Sequence, residues 1–483
     1  MSEPNELLTE ISTFCRQHGL AESTFGRLAV NDGKFVSRLR DGGRVRTHTL
    51  SRVKAFLASP PSSVDRTLVI GPRNGGRPGE SVPAGQASAL AGSPRLRPPE
   101  GTPSTALRPT EQMNFRFYDN RQKYLLFVNT CSEKAVVAQR VGMELANIHP
   151  RPPAVRIFDA GIGDGTVLTR VMREMHRRYP TFPFYIVGKE ISLEDVRLTL
   201  EKVPDRFFEH PSTVLVLTNL FYSEAPWLLP KSVTAASSMV WHEVALTGNT
   251  AHEFEQQITD LNPFLAANWT VRSSAVSGNP VYERPVVLVL YRDDYRFLLN
   301  DVIPRRGAVR ADYDLVIASQ PYRLRVPTEF KAQRVLAPLA RSLGAGGRLL
   351  GIHSRGGDPG IDLVQRVWKD ENPFTSDRHA LLKALKSELG SSARHLNFNA
   401  YADARSVFRY DMHTLPTEIG SSIGTSTLFA AWNAAVYVAQ IEDQRLNEVL
   451  LDGRYLNATR EVLQEHGGLW FYDESYVVSR TRE

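Results

Sequence analysis

The chain has 483 residues, of which 42% are hydrophobic and 23% are charged, with 58 basic and 52 acidic side chains and two cysteines. This composition is that of a globular protein of about two or three domains, and it excludes a collagen-like or wholly disordered chain. Two cysteines cannot form a disulfide framework, so we expect a reducing compartment. The net charge of +6 fits an anionic partner, but it is spread over too much surface to identify one.

Neither a signal peptide nor a membrane span is expected. The N-terminus carries Glu3, Glu6 and Glu10 and has no apolar run, which argues against a secretory signal. The most apolar later stretch, residues 428–441, is interrupted by two polar residues and is shorter than a membrane requires. We therefore expect a cytoplasmic protein with no membrane partner.

Residues 1–58 form a small helical segment. Its apolar spacing predicts helices over 6–14, 24–29, 34–40 and 49–57. The segment resembles the small helix-turn-helix domains of bacterial repressors, which implies that Lys34, Arg38 and Arg40 contact nucleic acid. The alternative is a helical docking or dimerisation module whose basic side chains form its solvated face. Helical modules of this kind often pair, so a homodimer is a further expectation.

A composition change divides the chain after this segment. Residues 59–111 are dominated by Pro, Gly, Ser and Arg, with few side chains able to pack into a core. We interpret them as a disordered linker that acts as a solvated tether. The remaining residues, 112–483, then form the main domain.

A glycine-rich turn begins the main domain's pattern of alternating strands and helices. A buried strand is predicted over 155–158, the segment 159–166 reads DAGIGDGT, and a helix is predicted over 167–178. Such a turn lets the backbone approach a ligand closely and directs free N–H groups at it. A dinucleotide fingerprint requires a glycine where Thr166 stands, so a nicotinamide cofactor is disfavoured.

The turn resembles motif I of the class I S-adenosylmethionine-dependent methyltransferases, through Asp159, Gly161, Gly163 and Gly165. The resemblance implies S-adenosylmethionine as the cofactor, with Asp159 contacting the amino end of its methionine part and the glycines accommodating it. It also implies an α/β fold with a Rossmann-like, seven-stranded sheet. The resemblance extends from about residue 114 to the C-terminus.

The next two predicted strands end in groups that suit the same cofactor. The strand over 184–188 ends near Glu190, where such sheets place an acid that accepts the ribose hydroxyls. The strand over 213–217 leads to Asn219 and Leu220, and the resemblance implies that this side chain and the following backbone read the adenine. Each group also has a local structural explanation, such as a helix cap, an ion pair or a turn.

The fourth strand of the family's pattern comes late in this chain. The next suitable strand, 313–318, follows the third by about ninety residues, so we predict an insertion over 221–312 that recognises substrate or acts as a lid. Within it, the apolar run 286–291 could instead be a member of the main sheet. Later segments predict a helix over 329–342, a glycine turn over 344–347 and a strand over 348–353. The chain end, 469–472 and 476–479, supplies antiparallel strands, and extra helices lie around Leu428 and Tyr455.

The fourth strand ends in Ser319, Gln320, Pro321 and Tyr322. This resembles the Asp/Asn/Ser-x-Pro-Tyr/Phe signature of methyltransferases that act on planar nitrogen. The resemblance implies that Ser319 and the Gln320 carbonyl accept hydrogen bonds from the target NH₂ group, while the Tyr322 ring stacks on it. Gln320 departs from the residue usual in DNA enzymes, which puts DNA in doubt. The alternative is a proline-terminated strand without a role in target binding.

Other chemistries have weaker support in the sequence. A hydroxyl acceptor would need a general base, and His242, Glu243 and His353 are the nearest candidates by position. Cytosine C5 chemistry is disfavoured because Cys15 and Cys131 both precede the first strand of the main domain. No spacing of His, Cys or Asp suggests a metal site.

These observations together predict an S-adenosylmethionine-dependent methyltransferase joined to a helix-turn-helix-like module. Its first candidate acceptor is a planar nitrogen of a nucleic acid, because the strand end at Ser319 and the basic module point the same way. A small molecule or a protein is the alternative acceptor. A further alternative is a DNA-binding regulator whose methyltransferase-like domain senses its cofactor without turnover.

Overall fold

The computed structural model describes residues 3–18, 21–30, 32–40, 47–58, 121–274, 279–413, 415 and 423–482. They form two compact units, one within residues 3–58 and the other within residues 121–482. Each unit has its own hydrophobic core. The predicted linker over 59–111 lies outside the described residues.

The first unit packs short helices around three aromatic rings. The helices are α1 (Glu3–His18), α2 (Glu22–Val30), α3 (Phe35–Arg40) and α4 (Thr47–Ala58). The ring centroids of Phe14, Phe25 and Phe56 lie between 5.5 and 5.9 Å apart, close enough for edge-to-face attraction. The helices predicted from the sequence are confirmed, and the helix-turn-helix identity of the unit stays a prediction.

The second unit is built on one large sheet. Its strands, together with a separate β5–β6 pair, are β1 (Val155–Asp159), β2 (Phe184–Lys189), β3 (Thr213–Thr218), β4 (Val240–Leu246), β5 (Val271–Ser273), β6 (Pro280–Tyr282), β7 (Val286–Arg292), β8 (Tyr313–Ser319), β9 (Leu343–Ser354), β10 (Leu396–Asn399), β11 (Val407–Asp411) and β12 (Trp470–Arg480).

The order of the strands is that of a Rossmann-like methyltransferase sheet with additions at both ends. The order is β10-β12-β9-β8-β1-β2-β3-β7-β4, and β11 also pairs with β12. The strands from β3 to β9 in this order are parallel, whereas β12 is antiparallel to β9. The strand order reverses between β1 and β8, and open α/β sheets bind their ligands at such a switch point.

The sheet is larger than the sequence predicted. It has ten strands among the described residues, not seven, because β4, β7 and β11 extend it. The run over 286–291 is the sheet member β7, antiparallel to β3 and parallel to β4. Two strands of the stretch 221–312, β4 and β7, therefore extend the sheet beyond β3. The predicted recognition or lid role of that stretch stays a prediction.

Helices cover both faces of the sheet. They are α5 (Arg121–Thr130), α6 (Glu133–Leu145), α7 (Thr166–Arg178), α8 (Leu193–Lys202), α9 (Pro204–Glu209), α10 (Val233–Ser238), α11 (Ala251–Thr259), α12 (Asn262–Asn268), α13 (Thr328–Lys331), α14 (Ala337–Arg341), α15 (Pro359–Val367), α16 (Arg378–Leu389), α17 (Asp403–Ser406), α18 (Thr425–Val438), α19 (Asp443–Asp452) and α20 (Arg454–His466).

Two apolar layers enclose the sheet because its buried strands alternate their side chains between the faces. Ile157 and Ile186 face a layer that includes residues of α6 and α7, whereas Phe158 and Val187 face a layer that includes residues of α14 and α16. A third cluster joins α5, α15, α18 and α20. The carboxyl ends of β1, β2 and β8 are thereby held at one edge of a rigid sheet.

Three local predictions are corrected. The glycines over 344–347 do not form a turn before a strand but lie inside β9, where the register with β8 shifts between Tyr313 and Leu315. The helix predicted over 329–342 contains a π-helical stretch, Ala332–Leu336, since Pro338 lacks the N–H that a regular helix needs there. The two strands predicted at the chain end are the single strand β12.

Candidate active site

A cavity of about 500 Å³ lies at the carboxyl ends of β1, β2 and β8, where the strand order reverses. Its lining includes Gly161, Gly163, Lys189, Glu190, Ser319 and Tyr322. The structure therefore brings the glycine turn, the acid after β2 and the end of β8 to one site. This volume is within the range of about 300–1,000 Å³ that is usual for small-molecule sites.

The three glycines of the turn after β1 have different tasks. A Cβ at Gly161 would have no heavy atom within 4 Å, so this residue leaves open space on the cavity side. A Cβ at Gly165 would lie 2.8 Å from the Thr199 Oγ1 atom, and its φ of 77° is one that side chains disfavour. Gly163 has a φ of 52°. Gly161 is therefore where a ligand can approach the backbone, and Gly165 lets α7 pack against α8.

Asp159 is buried behind this turn, and only 2% of the residue is exposed. Its Oδ1 atom accepts a hydrogen bond from the Gly161 N–H at 3.1 Å. Burial raises the pKa of Asp159 to about 7, an effect that the Gly161 N–H opposes and the charge of Glu190 increases. Asp159 does not itself line the cavity, although the next two residues do. Its carboxylate thus acts on the cavity from directly beneath the turn.

Glu190 joins the end of β2 to the glycine turn. Its Oε2 atom accepts a hydrogen bond from the Gly163 N–H at 3.0 Å, and its Oε1 atom accepts from Ile191 and Ser192 at 2.7 and 2.9 Å. The Trp269 indole N–H donates to the Glu190 carbonyl at 3.2 Å. The carboxylate is thereby fixed in orientation on the cavity wall, where it can accept hydroxyl hydrogen bonds.

Asp164 fixes the far end of the turn. Lys202 Nζ donates to both its carbonyl and its Oδ2 atom at 2.6 Å, and the Tyr124 hydroxyl donates to its Oδ1 atom at 3.3 Å. Burial acts to raise the pKa of Asp164, but the bonds from Lys202 and Thr166, together with the charges of Lys202 and Lys134, outweigh it and lower the pKa below its usual value of 3.8. The turn is therefore held in one conformation by charged hydrogen bonds.

Two cavity residues, Tyr124 and Lys134, were not predicted from the sequence. They come from α5 and α6, which precede the sheet, and no local motif marks them. Lys134 Nζ lies 3.2 Å from a carboxylate oxygen of Glu133 and 5.7 Å from the Tyr124 ring centroid. Burial is the largest single effect and lowers the pKa of Lys134, but Glu133, Tyr437 and Asp164 together raise it more, so the net pKa lies above its usual value of 10.5 and the side chain is charged.

The end of β8 turns sharply at Gln320. This residue has a φ of 48°, and its side-chain amide donates to Ser354 Oγ at 3.0 Å and to Asp473 Oδ1 at 3.2 Å. The Gln320 side chain is therefore bound to β9 and β12. Ser319 and Tyr322, on either side of this turn, both line the cavity.

Tyr322 presents its ring to the cavity and its hydroxyl to the protein. The hydroxyl lies 3.1 Å from the Tyr476 hydroxyl and 3.4 Å from His353 Nδ1. Burial raises the pKa of Tyr322 well above 10, and the hydroxyl of Tyr476 raises it further. Tyr322 is therefore a neutral, fixed aromatic wall.

Asn219 and Leu220 are not brought to the cavity. Asn219 is buried, and its amide bonds to the main chain of the segment that leads into β7, with Arg284 O at 2.9 Å and Val286 N at 2.8 Å. The Leu220 N–H donates to Thr218 Oγ1 at 3.3 Å. The predicted adenine contact has no support here, because the Asn219 amide is bonded to the segment at β7 and the Leu220 N–H to Thr218. Tyr222 lines the cavity instead, and its hydroxyl donates to the Pro321 carbonyl at 2.8 Å.

The candidate general bases do not line the cavity. The His242 ring stacks on Phe264 with centroids 4.3 Å apart, and Glu243 accepts from the Tyr291 hydroxyl at 2.6 Å. His353 is buried, with Nε2 2.9 Å from Glu474. It contacts Tyr322, so it can position that ring but is not itself exposed to a ligand.

The three predicted nucleic-acid contacts lie in the first unit and are exposed. Arg38 forms an ion pair with Asp32, and Arg40 forms one with Glu22 at 2.8 Å. Lys34 bonds Asp32 through its main-chain N–H. Both arginines thus have intramolecular carboxylate partners, which a phosphate would have to displace.

The described residues contain no helix long and apolar enough to cross a membrane. One group of potential metal ligands is found there, consisting of Asp362, Glu465 and His466. Arg366 forms ion pairs with both carboxylates of this group. The group is therefore a surface ion-pair network in which a cation is already present.

Comparison with known proteins gives only remote structural similarity. The chain is similar to the plantazolicin methyltransferase BpumL in complex with SAH, to geranyl diphosphate methyltransferase in complex with SAM, and to the cyclase SpnF. BpumL is 8% identical, with 76% of this chain and 92% of that chain covered and a TM-score of 0.29. Geranyl diphosphate methyltransferase is 13% identical, with 71% and 85% covered and a TM-score of 0.26. SpnF is 12% identical, with 71% and 80% covered and a TM-score of 0.26. No family model and no curated protein matches the sequence. The fold assignment therefore depends on the strand order.

Proposed function

We propose that the chain is an S-adenosylmethionine-dependent methyltransferase. One observation carries the proposal: the open face of Gly161 and the fixed carboxylate of Glu190 lie on the same cavity wall, at the switch point of the sheet. An adenosyl cofactor needs both a close approach to the backbone and an acceptor for two hydroxyl groups. Gly161 belongs to the glycine motif and Glu190 follows the next strand, so the sequence predicted a binding role for both residues.

The amino-acid end of the cofactor fits the charges beside the turn. Lys134 supplies a positive charge for a carboxylate, and an ammonium group near the turn would lower the raised pKa of Asp159 and so ionise it. The two residues are close enough for Lys134 to lower the pKa of Asp159. Such a pair suits the zwitterion of a methionine moiety, since each charge would have an opposite partner.

When bound, the cofactor supplies a methyl group on a sulfonium. The protein's own task in such a displacement is to align the acceptor and exclude water. Ser319 can accept a hydrogen bond from an acceptor N–H, and the Tyr322 ring can stack on a flat group. The hydrogen bond from the Tyr222 hydroxyl to the Pro321 carbonyl fixes the segment between Ser319 and Tyr322.

A planar nitrogen is the acceptor that this arrangement favours. Nitrogen needs only a hydrogen-bond acceptor such as Ser319, whereas a hydroxyl would need a general base, and the three bases predicted from the sequence, His242, Glu243 and His353, do not line the cavity. A nucleic-acid nitrogen is one such acceptor, supported by the sequence pattern at Ser319 and by the exposed basic residues of α3. A small molecule or a protein side chain is the alternative.

The experiment is incubation of the full chain with radiolabelled S-adenosylmethionine and fractionated cell extract. We expect label to appear in one of the RNA, DNA, protein or small-molecule fractions. The Glu190→Gln variant should transfer much less label at the same cofactor concentration. Glu174→Gln is the matched control, since Glu174 lies on α7 away from the cavity and pairs with Arg177. Transfer by neither wild type nor control, in any fraction, would contradict the proposal.

A further inference from the structure

Lys189 is a charged cavity residue that the proposed chemistry does not use. It is the last residue of β2, and because side chains alternate along a strand, its side chain points to the opposite face from those of its neighbours. Gly188 faces Ile162 of the glycine turn, and Glu190 bonds Gly163 of the same turn. Lys189 therefore points to the opposite side, where its Nζ atom lies 4.9 Å from the Tyr222 ring centroid.

No oxygen atom of the described residues bonds or pairs with the Lys189 ammonium, among the contacts that the structure records. Other lysines that are buried or half-buried differ because an oxygen atom lies within bonding distance of their ammonium groups. Lys134 pairs with Glu133, Lys202 bonds Asp164, and Lys331 Nζ donates to the Leu324 carbonyl at 2.6 Å. An ammonium that faces a cavity without an anionic partner lacks compensation for its lost hydration.

The nearest acid does not provide this compensation. Both oxygens of Glu190 accept main-chain hydrogen bonds on the other side of the strand. Burial lowers the pKa of Lys189, and the charge of Glu190 only partly opposes this effect. A bound anion would restore the ordinary pKa of Lys189. The geometry around the side chain thus favours a negatively charged group in this part of the cavity.

Aromatic rings surround the part of the cavity that Lys189 faces. The rings of Tyr222 and Tyr322 line it, and both pack against the apolar layer on the α14 and α16 face of the sheet. Ser319 also lies on the lining. The cavity volume of about 500 Å³ has to hold the cofactor as well. A small flat molecule suits the remaining space better than a polymer does.

We propose that the methyl acceptor is a small planar molecule that carries a carboxylate or a phosphate group, and that Lys189 binds this anion. The inference rests on the proposed function, since it assigns the part of the cavity that the cofactor leaves open. Lys189 is then a specificity-determining residue: it selects acids over neutral molecules of the same shape. Tyr222 holds its ammonium by a cation–π contact until the anion arrives.

The test is calorimetric titration of the full chain after it has been saturated with S-adenosylhomocysteine. The three titrants are flat aromatic molecules of similar shape. Benzoate carries a carboxylate, phenyl phosphate carries a phosphate, and benzamide is neutral. We expect benzoate or phenyl phosphate to bind at least tenfold more tightly than benzamide, and the tighter of the two identifies the anion. Benzamide binding as tightly as both acids would overturn the proposal without any variant.

Variants of Lys189 assign the effect to this side chain. Lys189→Met should weaken binding of the acid at least tenfold and leave benzamide unchanged, whereas Lys189→Arg should restore most of the affinity. Lys231→Gln, which removes an exposed charge away from the cavity, is the matched control. If Lys189→Met bound benzoate and phenyl phosphate as tightly as the wild type does, the assignment to Lys189 would be overturned. Displacement of benzoate by a single-stranded RNA oligonucleotide would overturn the proposal of a small acceptor.

The two proposals fail in different ways. Retained S-adenosylhomocysteine binding in Lys189→Met shows that this variant is folded. If S-adenosylhomocysteine binds but neither acid is preferred, the anion site is wrong and the methyltransferase assignment stands. If S-adenosylhomocysteine does not bind to the wild type, the proposed function itself fails.

Discussion

The Gly163 N–H donates a hydrogen bond to Glu190 Oε2 across 3.0 Å, so the turn after β1 and the acid after β2 form one unit. This bond explains how the carboxylate stays oriented towards the cavity. Because Glu190 also accepts the N–H groups of Ile191 and Ser192, three main-chain donors hold it. The wall that we assign to the cofactor is therefore preorganised, and little ordering is left for binding to accomplish.

Replacing the Glu190 carboxylate should weaken cofactor binding. In Glu190→Gln, an amide with one acceptor oxygen replaces a charged carboxylate whose two oxygens both accept main-chain hydrogen bonds. Loss of a charged hydrogen bond costs about 1.5–3 kcal/mol, which corresponds to about 10- to 100-fold in affinity. Calorimetric titration with S-adenosylhomocysteine measures this, with Glu174→Gln as control. An affinity within twofold of the wild type would be inconsistent with a ribose contact.

Two glycines of the turn should respond oppositely to alanine. Gly161→Ala places a methyl group in open space on the cavity side, so we expect unchanged stability and weaker S-adenosylhomocysteine binding. Gly165→Ala forces a side chain against Thr199 at a φ of 77°, which should cost about 1–3 kcal/mol of unfolding free energy. Denaturant unfolding and calorimetry on both variants separate the effects. Equal loss of stability in the two variants would disprove the separate roles.

The end of β8 should matter for transfer and not for cofactor binding. Ser319→Ala removes the proposed hydrogen-bond acceptor, and Tyr322→Ala removes the stacking wall. We expect product formation to fall about 10- to 100-fold in each, because alignment of the acceptor is lost, while S-adenosylhomocysteine affinity changes little. Ser237→Ala, at an exposed serine on α10, is the control. Parallel loss of affinity and transfer would argue against acceptor roles for these residues.

Asp159 should make the unfolding free energy depend on pH. Burial raises its pKa from 3.8 to about 7. The folded protein therefore keeps this proton over a pH range in which the unfolded chain has released it, and the unfolding free energy decreases as the pH rises from about 4 to about 7. Above that range the buried carboxylate costs up to about 4 kcal/mol.

The comparison with Asp159→Asn isolates this contribution. The amide resembles the protonated acid, so the variant without ligand should be more stable than the wild type at pH 8 and about equally stable at pH 4. Denaturant titrations at the two pH values measure the difference. A stability difference that does not change with pH would show that Asp159 titrates normally.

Most of the site residues that could be predicted from the sequence lie at the carboxyl ends of strands. Glu190, Ser319 and the glycine turn lie at the carboxyl ends of consecutive parallel strands, and such ends meet at one edge of a sheet. Local pattern is enough to place these residues together. The strands β1, β2 and β3 were themselves predicted, and they lie next to one another in the sheet.

Long-range contacts set the limit of that prediction. Asn219 follows a strand in the expected way, but pairing with β7, nearly seventy residues later, takes both ends of its amide. Lys134 comes from a helix that precedes the sheet, and nothing in its neighbourhood of the sequence indicates a ligand. Lys189 is adjacent to Glu190 in sequence, yet only strand alternation and the position of Tyr222 reveal its separate surroundings.

The most direct test of the account is calorimetric titration of the wild-type chain with S-adenosylmethionine and S-adenosylhomocysteine. We predict saturable heat with one equivalent of either compound, and its loss in a variant that combines Glu190→Gln with Lys134→Met. Absence of heat with both compounds, for a folded wild-type protein, would contradict the assignment of this cavity to an adenosyl cofactor.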